Sequence, residues 1–124
     1  MNDQRANLEN LLPILDMAFQ AEQVKMAKVV ARIEALKQQL RDLDRPTRAE
    51  PLSAAMRAGA DLRWDAWAHD RKLMINQELA IASRDRERTK GDLIAALSKA
   101  EAAKRMQSRA KTDENQRAQR RSSW

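Results

Sequence analysis

Cysteine and tyrosine are absent from this 124-residue chain, glycine occurs twice, proline three times and phenylalanine once. Without cysteine there is no disulfide framework and no thiolate metal site. With so few aromatics, glycines and β-branched residues, a strand-rich fold lacks both its packing residues and its turns. No run approaches the ~18 apolar residues that a membrane span needs. The opening Met1-Asn2-Asp3-Gln4-Arg5 lacks the apolar centre of a signal peptide. The expectation is a cytoplasmic protein with no membrane insertion.

Catalytic raw material is also scarce. There is one histidine, no glycine-rich phosphate loop and no nucleophile motif. His69 lies between Ala68 and Asp70 on a stretch that reads as helix, where packing or solvation accounts for it. The carboxylate pairs Asp42/Asp44 and Asp85/Glu87 are spaced by two, which sends them to different faces of a helix. The reading is a non-enzyme with no cofactor, no metal and no catalytic residue.

What is abundant is Ala, Leu, Glu, Lys, Arg and Gln, the composition of long helices. From Leu8 the series Leu12, Leu15, Phe19, Glu22, Met26, Val29, Ile33, Leu36, Leu40, Leu43 alternates steps of four and three, and ten of its eleven positions are apolar. That is an a/d seam held for five heptads, too narrow to stabilise a lone helix, so it requires a partner helix. Pro46 and Pro51 then bracket a connector, since residues before proline are pushed out of the helical basin. From Leu52 the chain reads as helix again. One frame runs through Leu52, Ala55, Gly59, Leu62, Ala66, His69 and Leu73. A second runs through Ile75, Leu79 and Ala82, then Leu93, Ala96, Ala100 and Ala103. Gly91, in the polar stretch from Ser83 to Asp92, is a candidate hinge.

The fold expected is all-α: a long two-helix antiparallel coiled-coil hairpin with an overhanging basic C-terminal helix or tail. Helix 1 covers about 5–44, the turn 45–51, helix 2 about 52–118, and the basic tail 104–124, all in one unit. A turn centred near residue 48 sets Leu8 opposite about Glu87, which leaves helix 2 unpaired beyond about residue 90. The apolar strip Leu93, Ile94, Leu97, Ala100 and Ala103 would then need an external cover.

Charge follows the same division. Met1–Ala103 holds 17 Lys/Arg against 16 Asp/Glu, whereas Lys104–Trp124 holds seven basic residues against Asp113 and Glu114. Leu93, Ile94, Leu97, Lys104, Arg105 and Arg109 are therefore the candidate partner-binding residues. Trp64 and Trp67, three apart on one helix face, either cover the hairpin near its tip or form a second patch, tryptophan being enriched at interface hot spots.

The heptad helix, the proline-marked turn and the longer Ala/Arg-rich second helix, with Trp64-Asp65-Ala66-Trp67, Arg71-Lys72, Asn76, Glu78-Leu79-Ala80 and Ala100-Glu101-Ala102, resemble the FliJ/YscO family. The resemblance implies a stalk or adaptor of a bacterial flagellar or related type III protein export apparatus. Such a stalk is an antiparallel coiled coil seated in a hexameric export ATPase, linked to an export gate protein and described as a general export chaperone. Two readings stand beside it. One is a nucleic-acid-associated coiled coil acting through the basic tail, although that tail carries one aromatic and no recognition module. The other is a plain structural coiled coil that self-associates through helix 1.

Overall fold

A computed structural model describes residues Asn2–Asp44 and Ala54–Ser123, and every regular element among them is helical. Helix α1 is Asn2–Leu43 and helix α2 is Ala54–Ser122, and the two pack against each other. The expected turn at 45–51 lies outside the described residues. Among the described residues no helix is long and apolar enough to cross a membrane.

α1 begins at Asn2, shortly before the expected residue 5, and carries Pro13 in its interior. Proline has no N–H, so the carbonyl of Glu9 lacks its usual helical donor. At the far end Gln38 donates to Asp42 at 2.9 Å, and the Arg41 guanidinium donates to the Gln38 side-chain oxygen Oε1 at 2.7 Å. α2 runs unbroken through Gly91 to Ser122. Its C-terminal end is closed by Ser123, whose N–H and Oγ donate to the carbonyls of Gln119 and Arg120. Farther back, the hydroxyls of Ser98 and Thr112 donate to the carbonyls of Ile94 and Ser108, so these polar residues sit inside a helix at little cost.

The chain divides into two compact units. One is Ala27–Glu87. Ile33, Leu36, Ile75 and Ala82 are its buried cluster, with Val29, Leu40, Leu43 and Leu79 packed against them. Among the described residues Leu36 and Ile75 are the largest side chains fully removed from water. Polar pairs flank this cluster: Arg32 lies 3.4 Å from Glu78, Arg71 donates to Gln39 at 3.5 Å, and Lys72 meets Asp44 at 2.7 Å. From Arg32 to Gln39 the number rises along α1 while on α2 it falls from Glu78 to Arg71.

The other unit joins the described residues up to Met26 with those from Arg88 onward. Ala100 and Ala103 are buried in it, while Leu8, Leu12, Leu15, Phe19, Met26, Leu93 and Ala96 are half-buried. Arg5 pairs with Glu114, and Lys104 lies 3.9 Å from Asp16. Here too the order along the two segments is reversed. The hydrogen bond and charge of Glu114, helped by Glu9, hold the Arg5 guanidinium above its ordinary pKa.

These pairs correct the expected register. Asp44 was placed near the start of helix 2 and is found beside Lys72 instead. The stretch beyond residue 90, expected to overhang, packs against the first half of α1. The physical reason is that the connector does not set the register. Apolar fit does: Leu36 and Ile75 vanish from water only if Ile75, not Leu62 or Leu73, lies against the Ile33–Leu40 stretch. From Ala54 to Trp67 every residue is exposed except the half-buried Gly59, and Ala68 is the first to be buried.

Candidate partner-binding surfaces

The expected seam residues on α1 lie together on one face. Ile33 and Leu36 are buried, and Leu12, Leu15, Phe19, Met26, Val29, Leu40 and Leu43 are half-buried. That face is therefore used inside the chain and offers little to a partner. The facing stripe of α2 follows the second frame only, from Ala68 through Ile75, Leu79 and Ala82, then Leu93, Ala96, Ala100 and Ala103. Polar residues share this stripe. Lys72, Thr89, Gln107 and Glu114 are each partly buried, and the long side chains among them have stems able to cover apolar surface while their heads reach water.

The six candidate binding residues do not form one surface. Leu93 turns toward the packed face, whereas Ile94 and Leu97 turn away from it, with 54% and 41% of their surface exposed. Lys104 is engaged by Asp16 and by Glu101, each at 3.9 Å. Arg105 and Arg109, four apart and both exposed, remain together as a basic edge on the outer side of α2. The strip Leu93–Ala103 is thus split, its alanines inward and Ile94 and Leu97 outward.

Trp64 and Trp67 pack on each other with ring centroids 5.1 Å apart and planes tilted by 40°. Trp67 is about half exposed. Seven and fourteen residues on from Trp67, Met74 and Ile81 are exposed too, which makes a one-per-heptad apolar line outside the seam. Ile81 borders an open groove of about 350 Å³ in the Ala27–Glu87 unit, floored by Val29 and Ala82 and edged by Lys28, Arg32, Glu78 and Asp85. Cations on one wall and carboxylates on the other suit a polar-rimmed apolar contact. His69 is exposed. Among the described residues, no three His, Cys, Asp or Glu side chains stand close enough to share a metal.

No family model, curated protein or solved structure matches the chain.

Sequence reasoning missed a second apolar stripe on α1. Ile14, Met17, Ala18, Ala21 and Val24 are all exposed, and their spacing of three and four puts them on one outer face. The signal was present. Counting apolar residues at a and d alone discards those at other heptad positions, and this stretch has apolar residues on two faces.

Proposed function

We propose that the chain is a non-enzymatic antiparallel coiled-coil stalk or adaptor that works in the cytoplasm by binding other proteins. In its most specific form it serves a bacterial flagellar or related type III export apparatus. One observation supports the binding role above the rest: large apolar side chains face water in both units while alanines take up much of the α2 side of the packed face. Met17, Ile14, Trp67, Met74, Ile81 and Ile94 are more than half exposed. A scaffold with such lines on its outer faces gains by covering them with protein. The family resemblance supplies the occupants, an export ATPase and an export gate protein.

The test is a binding and stimulation assay with the purified export ATPase of the same organism. The expected result is a complex and a raised hydrolysis rate, both reduced by Ile94→Asp with Leu97→Asp and by Arg105→Glu with Arg109→Glu. Absence of any complex would remove the export reading and leave a scaffold with other partners. The exposed Arg105 and Arg109 also suit a nucleic-acid reading. Phosphate binding would fall steeply with salt on any duplex, whereas an apolar protein interface would hold.

A further inference from the structure

We infer that the outer stripe of α1 in the terminal unit is a self-association surface, pairing two copies of this chain end for end about a two-fold axis level with Phe19. This goes beyond the export reading and does not depend on it.

The stripe is self-complementary. With a second copy reversed about that point, Ile14 meets Val24 and Met17 meets Ala21, each pair occurring twice. Large side chains thus fall opposite small ones, which is how packed layers interdigitate. The central Ala18 and Ala21 let the helix backbones come close. A residue opposite its own copy would instead set Met17 on Met17 and Ala21 on Ala21, crowding one level and leaving a hole at the next.

Charge selects the same orientation. Asn10 bounds the stripe at one end and Lys25, well exposed and paired with Glu22 at 3.2 Å, bounds it at the other. A reversed copy about Phe19 sets Lys25 level with the uncharged Pro13. A parallel copy brings the two Lys25 ammonium groups together, which is repulsive.

Area fits a reversible pair. Ile14 and Met17 are 61% and 69% exposed and Val24 is comparable. Together with the two alanines and Leu11 this leaves roughly 500 Å² per copy, or about 1,000 Å² across the pair, near the lower edge of specific interfaces. Weak and transient pairs lie at that end of the size range.

The experiment is light scattering of the full chain over about 5 to 500 micromolar, a range that spans weak association. The expected result is a rise from monomer mass toward dimer mass. Met17→Glu and Ala21→Arg should each weaken it at least tenfold while leaving circular dichroism unchanged, because both side chains lie off the seam. Combining the two should restore association, since each Glu then faces an Arg of the other copy. As the chain has no cysteine, Ala18→Cys should give a disulfide-linked dimer under mild oxidant, and Lys111→Cys should not. A chain monomeric throughout the range overturns the inference, and so does a dimer indifferent to both single substitutions. A monomer that binds another protein through Met17 overturns the choice of a second copy as occupant. Failure of ATPase binding leaves this surface untouched, and failure to dimerise leaves the export reading untouched.

Discussion

The ammonium of Lys104 lies 3.9 Å from the carboxylate of Asp16, so this part of α2 is laid against α1. With Ala100 and Ala103 buried in the same unit, this segment is part of what keeps the first half of α1 helical.

Truncation after Gly91 is therefore expected to cost more helix than the residues it removes. The α1 residues up to Met26 lose their partner, and a single amphipathic helix of that length is marginal in water. Mean residue ellipticity at 222 nm should drop per remaining residue. An unchanged value would show that the first half of α1 does not need the C-terminal segment.

The seam should be most sensitive where burial is complete. Leu36→Ala and Ile75→Ala each empty a fully buried site, which costs about 2–5 kcal/mol in a packed core. Leu62→Ala and Leu73→Ala remove exposed side chains and should stay within about 0.5 kcal/mol. Urea unfolding of the four variants checks this; equal losses at Leu73 and Leu36 would contradict the frame.

Glu22 is a seam position filled by an acid, and its Oε2 is buried without a hydrogen-bond partner. An unsatisfied buried oxygen costs about 1–3 kcal/mol. Glu22→Met should accordingly stabilise, raising the melting temperature by several degrees. The exposed Lys25 pair lost in the exchange is solvent-screened and worth little. A lowered melting temperature would mean that Glu22 has a partner in solution.

Gly91 has nothing within 4 Å of where a Cβ would stand. Gly91→Ala should add helix propensity without a clash, worth about 0.5–1 kcal/mol. Destabilisation in a thermal melt would show that α2 bends at this position in solution.

The α1 seam was legible because large residues occupy it: from Leu8 to Leu43 the series lies on the packed face, and even Glu22 keeps its place. α2 was legible only in part. Its alanines make several frames look equally apolar, and the choice among them rests on fit to Ile33 and Leu36 across the helix pair, which no local pattern carries. Lys72 and Gln107 hide further stripe positions because apolar counting ignores their methylene stems. In the frame Ala55, Gly59, Leu62, Ala66, His69, Leu73, whose first member Leu52 lies outside the described residues, only Gly59 is even half-buried. The binding surfaces suffered from the same error: a register taken from the turn put Leu93, Ala100 and Ala103 outside, and packing put them inside.

The first turns of α2, Ala54 to Trp67, are exposed at every residue but Gly59, which stands in their midst. Their helicity is inherited from the packed turns that follow, and it is reinforced by the contact between Trp64 and Trp67. Such a segment opens and recloses many times for each opening of the turn around Ile75, so its amide protons trade with solvent far sooner. A protein settling on Trp67 would slow that exchange, and part of its binding free energy would go into holding the segment still.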